Sequence, residues 1–270
     1  MSRKRSHIPE IYKQRKRIFL GPAKVDSGAT NGFPKDEKDV ESDEILSDTK
    51  ATLFFLRGLF PVEKFHHTLP AMILKHQVYS IVKNRTVADK QLNDLRTAGE
   101  IKLFKLPMGT GEEEYCVLFT EDYKSHILRT SRSMAVSKTV IDKFIKKVVS
   151  QHSDVSISKE TLLDEFRFKD EEITQMVKAN LLTFREVGSW WLSIPNTGVF
   201  MKSFIRGRKS VLTMIRKSKY RAILKQELEQ RKWPKLAKLG LMFHIHDIIG
   251  SELVECVQTT SGELLRLKDN

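Results

Sequence analysis

Three segments of this chain repeat one pattern, in which a helix end runs almost directly into a strand. They are LRTAGEIKL (95–103), VKANLLTFR (177–185) and VQTTSGELLRL (257–267). Their spacing indicates an internal structural repeat with a period of roughly 70 to 80 residues. Helical segments precede each ending, a hairpin accompanies the first two and a closing strand the third, so the pattern restricts the fold to small units built in one order. Three helices followed by a hairpin is the order of a winged helix.

The first repeat begins after residue 50. Its first two predicted helices are ATLFFLRGLF (51–60) and LPAMILKHQVYSIV (69–82). A third helix follows, with Thr86 predicted as its cap and Gly99 at its C-terminal end, where a left-handed residue is favoured. Apolar residues then alternate from Ile101, which predicts a strand, and YCVLFT (115–120) is the returning strand.

The second and third repeats follow the same order. In the second, Asp170 is predicted to cap the third helix, and the hairpin turns at Gly188-Ser189 with one of Trp190 and Trp191 facing the core. The third repeat comprises a basic helix, a helix through YRAILKQELEQR (220–231), a last helix capped by Asp247, and the closing strand ELLRL (263–267).

These patterns predict an α+β fold, mainly helical with small β-hairpins. Three tandem winged-helix domains, at 51–130, 131–196 and 197–270, are expected to follow a disordered tail at 1–50. At 270 residues the chain is long enough for several small domains of this kind.

The N-terminal tail contains two basic clusters and then an acidic run. Such a segment buries too little apolar surface to offset its chain entropy, so we expect it to be disordered. Two basic clusters seven residues apart resemble a bipartite nuclear-localisation signal, and a generic solubilising tail is the alternative. The cluster residues are Arg3, Lys4, Arg5, Lys13, Arg15, Lys16 and Arg17.

Positive charge is concentrated in the last third of the chain. The formal net charge is +13, and residues 187–270 supply +8 of it, with 15 basic and 7 acidic residues. Between Val187 and Gln226 there is no acidic residue at all. A field concentrated on one region favours a polyanionic partner, with nucleic acid as the first candidate and an anionic membrane surface as the second.

The basic helix of the third repeat is amphipathic. At 100° per residue, Lys202, Arg206, Lys209 and Arg216 share one face, and Phe200, Phe204, Val211 and Ile215 share the opposite one. Arg208 falls in the apolar sector. Like charges at i,i+4 destabilise an isolated helix, so this face favours binding to a polyanion over a solvated surface. The predicted DNA-binding residues are Lys202, Arg206, Arg208, Lys209, Arg216, Lys217, Lys219 and Arg221.

We expect backbone-dominated binding to double-stranded DNA with little base preference, because the helix lacks a set of base-reading side chains on one face. Single-stranded DNA and RNA are further candidate ligands. Tyr220 and Trp191 could stack on unpaired bases, although core or interface packing is the favoured role for each.

No catalytic or metal site is predicted. The Gly109-Thr110-Gly111 segment runs into three glutamates, which would repel a triphosphate, and the other kinase motifs are absent from the sequence. His244 and His246 alternate as two residues on one strand face would, but zinc would lack a fourth ligand. Cys116 and Cys256 match no paired spacing and are interpreted as reduced thiols. No run is long and apolar enough to span a membrane, so no membrane role is predicted. No cofactor is predicted either, because no motif for binding one was found.

Several phrases of the sequence resemble the serine/threonine-protein kinase 19 family, whose name is historical. They are RTVADKQL (85–92), LFTEDY (118–123), GSWWLSIP (188–195), RKSKYR (216–221), HIHDIIG (244–250) and TTSGELLRL (259–267). The resemblance covers most of residues 51–270; the leader at 1–50 and the loop at 108–114 depart from it.

The resemblance implies three winged-helix domains that bind DNA, no kinase fold, and a nuclear role in transcription-coupled nucleotide excision repair. It implies as partners stalled RNA polymerase II, the Cockayne-syndrome ubiquitin ligase and the repair helicase complex. The family's DNA-contacting cations would correspond to those of the third repeat. The alternatives are a protein kinase, as the family name says, and a protein-interaction scaffold that binds no DNA.

Overall fold

A computed structural model describes residues 48–107, 113–131, 136–234 and 237–268. The predicted disorder of the tail, its two basic clusters and the glycine pair of 109–111 lie outside these residues. Within them, the first helix begins at Asp48, three residues before the predicted boundary.

One element order, helix, strand, helix, helix, strand, strand, occurs three times along the chain. The first set is α1 (Asp48–Gly58), β1 (Ile73–Leu74), a 3₁₀ helix (Lys75–Ser80), α2 (Arg85–Thr97), β2 (Ile101–Leu106) and β3 (Glu114–Phe119). The helix α3 (Thr120–Thr130) then leads to the second set. That set is α4 (Lys138–Phe144) with a π turn (Ile145–Val149), β4 (Ser156–Ser158), a π turn (Thr161–Glu165), α5 (Asp170–Lys178), β5 (Leu182–Glu186) and β6 (Ser189–Leu192). The third set is α6 (Thr197–Arg216), β7 (Ala222–Leu224), α7 (Lys225–Gln230), α8 (Leu241–Gly250), β8 (Val254–Thr259) and β9 (Gly262–Leu267).

Each set forms its own three-stranded antiparallel sheet, with the last strand in the middle: β1-β3-β2, β4-β6-β5 and β7-β9-β8. The hairpins predicted in the first two repeats are confirmed, and a short extra strand lies along the other edge of each sheet. In the third repeat the predicted last helix is wrong, because α8 ends at Gly250 and Val254–Thr259 is the strand β8, paired with β9. In the second sheet Phe184 pairs with Trp190, and Gly188 at the turn has φ 78°. That left-handed value carries no steric penalty in glycine.

Two further predicted helices are wrong, because in each a short strand takes the place of part of the helix. The segment at 69–82 forms β1 and then the 3₁₀ helix, since Ile73 and Leu74 pair with β3 and are fully buried. The predicted helix at 220–231 is split in the same way, because Ile223 pairs with Leu265 and the α-helix is limited to 225–230. A strand of two or three residues is too short to produce a visible alternation.

The predicted helix caps also shift. The N-cap of α2 is Asn84 instead of Thr86, and its side chain accepts a hydrogen bond of 3.1 Å from the Val87 amide. Asp170 is the first residue of α5, and Lys169 occupies the cap position before it. Asp247 lies inside α8 and is fully buried, so it caps no helix. Gly99 does follow the end of α2 with φ 77°, as predicted.

The three repeats pack against one another, and the described residues form one compact unit. The largest buried cluster joins side chains of all three, including Phe104, Phe144 and Phe243. A second cluster lies within the first repeat around Leu92, and a third within the third repeat around Ile245. The division into three separate domains therefore stays a prediction, whereas the mixture of helices and small sheets is confirmed.

Candidate nucleic-acid interface

The basic helix predicted in the third repeat is α6, a helix of 20 residues. Its inward face buries Phe200, Phe204, Val211 and Ile215, as the apolar period predicts. This burial holds α6 against the core of the unit, so its opposite face is presented on a fixed support.

Five cations cover the outward face of α6, and we call them the α6 crest. They are Lys202, Arg206, Lys209, Arg216 and Lys217, and all are exposed. Among the described residues, none of the five has a carboxylate within 4.0 Å, whereas nearby Lys225 pairs with Glu263 at 2.7 Å. The crest is therefore a row of like charges without counter-charges among the described residues, which destabilises an isolated helix and favours binding of an anion.

A groove of about 530 Å³ runs beside the crest, between α6 and the segment that follows α7. Arg206 and Lys209 of α6 line it together with Lys217 at the end of that helix, and Arg231 lines it from the segment after α7. Arg231 was not predicted as a site residue. The sequence offered no signal for it, since it lies in a stretch of mixed charge outside the basic helix.

Arg208 is separated from the other predicted cations. Its guanidinium lies over the Phe204 ring and donates hydrogen bonds of 2.5 and 2.9 Å to the two carboxylate oxygens of Asp247. A third hydrogen bond of 3.2 Å reaches Glu114 on β3. The side chain is only 17% exposed. We therefore leave Arg208 out of the candidate interface, because its donors are used inside the protein.

His76 completes this buried ionic cluster, which consists of His76, Glu114, Arg208 and Asp247 and joins the first repeat to the third. Nε2 of His76 lies 2.8 Å from Asp247, and Nδ1 lies 2.9 Å from Glu114. Burial alone would lower the pKa of His76, but the two carboxylates outweigh it, and the pKa is raised above its ordinary value. Burial likewise opposes ionisation of Asp247, but hydrogen bonds led by that from Arg208 hold its pKa far below the usual range.

A glycine lets α6 approach α8 closely. A Cβ atom on Gly207 would lie 1.9 Å from Nε2 of His244, which is fully buried on α8. His244 and His246 lie on the helix α8, so the prediction that they share a strand face is wrong. Nδ1 of His246 is 2.8 Å from the Ser80 hydroxyl. The close contact fixes α6, and with it the crest, against the centre of the molecule.

The predicted residues beyond α6 lie on a short 3₁₀ turn, Lys219–Arg221. Tyr220 is 82% exposed with φ 58°, so it does not pack in the core, and its role at an interface stays a prediction. Its ring is approached by the Lys219 ammonium at 5.0 Å. Lys219 and Arg221 are exposed and lie next to the C-terminal end of the crest.

The third helices of the second and third repeats are poorly suited to contact DNA. In many helix-turn-helix proteins such a helix enters the major groove. Here α8 is buried along most of its length, and α5 begins with Asp170, Glu171 and Glu172, which would repel phosphate. The crest on α6, the first helix of its repeat, is therefore the more suitable cationic surface.

Trp191 lies between repeats instead of on the surface for stacking. Lys105 of the first repeat lies 4.6 Å from its ring centre, and Arg185 lies 4.7 Å from it. Trp190 packs against the large core cluster. The prediction that one tryptophan faces the core is confirmed, and the other is an inter-repeat contact with cation–π character.

Other chemistry finds little support in the described part of the chain. Those residues contain no group of three or more His, Cys, Asp or Glu side chains arranged so that they could hold a metal ion, and no helix among them is long and apolar enough to cross a membrane. Cys116 is buried, and burial raises the pKa of its thiol. Cys256 is exposed, and the two thiols are unpaired.

Comparison with known proteins agrees with the resemblance in sequence. The family model described as "Inactive serine-threonine protein kinase 19" matches residues 59–267. The chain belongs to this family. A human relative named "Winged helix repair factor 1" is 40% identical over 270 residues and covers all of both chains.

Two further relatives show the range of the family. A mouse protein with the same name is 44% identical over 211 residues, covering 78% of this chain and 82% of its own. A fission yeast protein named "Serine/threonine-protein kinase mug51" is 23% identical over 209 residues, covering 73% and 67%. The kinase in that name stands beside a family description that calls the family inactive.

Proposed function

We propose that this protein is a non-enzymatic, nuclear DNA-binding adaptor that acts in DNA repair. One observation carries the proposal. Five exposed cations lie along the outward face of α6, whose opposite face is buried, and none of them has a carboxylate partner among the described residues. A polyanion supplies the missing counter-charge, and binding releases the cations condensed on it. The repair role is supported by the printed name of the full-length relatives.

The proposed contact is with the sugar-phosphate backbone of duplex DNA. Lysine and arginine side chains that contact phosphates position a protein on DNA without reading base edges. Because α8 is buried, the third repeat offers no third helix for direct readout in the major groove. The binding should therefore be strong at low salt, steeply salt-dependent and nearly independent of base sequence.

The finer role follows from the family resemblance. We place the protein in transcription-coupled nucleotide excision repair, in contact with stalled RNA polymerase II, the Cockayne-syndrome ubiquitin ligase and the repair helicase complex. The three repeats act as winged-helix domains within one unit, the third holding DNA while the first two face protein partners. The two basic clusters of the tail direct nuclear import.

The DNA-binding proposal is tested by fluorescence anisotropy with a labelled duplex. The test variant is Arg206→Glu/Lys209→Glu/Arg216→Glu/Lys217→Glu, checked for folding by circular dichroism. The matched control, Lys64→Glu/Lys83→Glu/Lys90→Glu/Lys178→Glu, makes the same charge change at four exposed lysines of the first two repeats. We expect the crest variant to lose affinity more than about 100-fold at 50 mM salt, and the control far less. Equal losses would show that net charge, and not the crest, controls binding.

The remaining parts of the proposal have their own tests. Purified protein should transfer no phosphate from ATP to a generic protein acceptor, and reproducible transfer would contradict the non-enzymatic role. Cells in which the crest variant replaces the natural protein should recover RNA synthesis slowly after ultraviolet damage, and normal recovery would contradict the repair role. Deletion of 1–17 should reduce nuclear fluorescence of a tagged protein; unchanged distribution would remove the import signal.

A further inference from the structure

The groove beside the crest has two walls of different origin. Arg206 lies on α6 and Lys217 directly follows that helix, whereas Arg231 follows α7. Met214, Pro234 and Ala237 also line the groove. Cations from two segments together with apolar side chains suit an extended anionic chain, whose phosphates can meet the cations while its sugars lie against the apolar groups.

Arg231 is held in place in this groove. One terminal nitrogen of its guanidinium donates to the Met214 carbonyl at 3.3 Å, and the other donates to Glu227 at 2.8 Å. The side chain is 35% exposed, compared with 56% for Glu227. Two fixed bonds leave further N–H donors on a planar group whose orientation is already set, which reduces the entropy lost when it binds a phosphate.

The hydroxyl groups along the groove have their hydrogens occupied. Ser210 donates to the Arg206 carbonyl at 2.9 Å, and Thr213 donates to the Lys209 carbonyl at 2.6 Å. Their oxygens can only accept, so they offer nothing to a phosphate oxygen. Recognition in the groove therefore rests on the cations.

Two neighbouring cations of the crest, Arg216 and Lys217, line different cavities. Lys217 lines the groove, whereas Arg216 lines a different hollow on the other flank of α6, beside Ile205 and Leu212. Both are exposed and carry the same charge. A ligand that lies in the groove contacts the first and passes the second at a distance, which makes this pair a built-in comparison.

We propose that one phosphodiester strand of the duplex lies in the groove between α6 and residues 231–234, held by Arg206 and Lys217 on one side and Arg231 on the other. Arg216 lies off this path. The inference rests on the proposed function, since it assigns the route of the DNA that the crest binds, and it adds Arg231 as a contact that the basic helix alone does not supply.

The test compares three single variants, Lys217→Gln, Arg231→Gln and Arg216→Gln, by anisotropy with the same duplex over a salt series. Each of the first two should weaken binding roughly tenfold at low salt and reduce the slope of log K against log[salt] by about one. Arg216→Gln should change affinity by less than about threefold. Losses at Arg216 as large as those at Lys217 would overturn the route.

Two further variants separate binding from local packing. Arg231→Lys keeps the charge and should recover part of the affinity if Arg231 acts on phosphate. Glu227→Gln removes the carboxylate that pairs with Arg231 at 2.8 Å and should tighten binding about two- to threefold. Such a gain in affinity could not result from a damaged fold. Unchanged or weaker binding by Glu227→Gln would contradict the proposed route through the groove.

Failure of this inference is distinguishable from failure of the proposed function. If the crest quadruple variant loses DNA while Arg231→Gln and Lys217→Gln bind as the natural protein does, the crest is correct and the groove is wrong. If the quadruple variant also binds normally, both are wrong.

Discussion

Arg206 and Arg208 are two residues apart on α6, and they have opposite environments. Arg206 is exposed and has no carboxylate within 4.0 Å among the described residues. Arg208 is mostly buried and donates to Asp247 and Glu114. A shift of 200° around the helix separates them. The comparison teaches that a cluster of cations in sequence can serve two purposes, one inside the protein and one at its surface.

The inside purpose depends on residues far away in sequence. Glu114 and Asp247 come from β3 and α8, and they meet Arg208 only because the first and third repeats pack together. Removal of one member of such a cluster leaves the others buried without a partner, which costs far more than the loss of an exposed charge. The predictions below probe this difference, from the largest expected effect to the smallest.

Substitution of Arg208 should have the largest effect on stability. Arg208→Met leaves Asp247 buried without its main donor, and we expect the free energy of unfolding to fall by about 3–5 kcal/mol. Arg206→Met, the matched control, should change it by less than about 0.5 kcal/mol. Urea denaturation followed by circular dichroism measures both. Similar values for the two variants would contradict the contrast between them.

Gly207→Ala should have the next largest effect on stability. The substitution forces the new methyl group into the His244 ring. Displacement of α6 or of that ring should cost about 1–3 kcal/mol. Gly198→Ala is the control on the same helix, since a Cβ there meets nothing within 4 Å. It should be neutral or stabilising by about 0.5–1 kcal/mol. Thermal melting distinguishes them, and equal melting temperatures would show that the helices have room to separate.

The ionic cluster should also depend on pH through His76. Its raised pKa means that the stabilisation from the protonated ring is fully present below about 6.5 and is lost as pH rises through the folded pKa. His76→Gln should therefore cost more at pH 5.5 than at pH 8.5, by about 1.4 kcal/mol for each unit by which the pKa is raised. Urea titrations at the two pH values measure this difference. A cost independent of pH would mean that His76 stays neutral in the cluster.

The smallest effect concerns the crest and the base sequence of the DNA. Because the proposed contacts are to phosphates, exchange of an A·T-rich duplex for a G·C-rich duplex of equal length should change affinity by less than about threefold. Competition experiments with unlabelled duplexes measure the ratio. A preference of 1,000-fold, as sequence-specific proteins show, would require direct readout by another surface.

Much of the fold could be predicted from the sequence where elements are long enough to show a period. The apolar face of α6, the end of α2 at Gly99 and the hairpin at Gly188 belong to this group. The strands β1, β4 and β7 could not, because two or three residues carry no readable alternation. The helix α8 was only partly predicted, since it is apolar on nearly all sides and lacks the polar face that marks a helix.

The candidate site divides in the same way. The crest follows from the helical period and the absence of acidic residues, both of which are local. The exclusion of Arg208 could be suspected from its apolar sector, but its partners lie 39 and 94 residues away and required the structure. Arg231 was missed because its place in the groove depends on how the segment after α7 folds back towards α6.

The most direct test of the central claim is the salt dependence of duplex binding by the natural protein and by the crest quadruple variant. If Arg206, Lys209 and Lys217 contact phosphates while Arg216 lies beside the path, the four reversals should reduce the slope of log K against log[salt] by about three, at roughly 0.9 for each contact. Two parallel lines would contradict the account, because they would mean that the same number of ions is released with or without the crest.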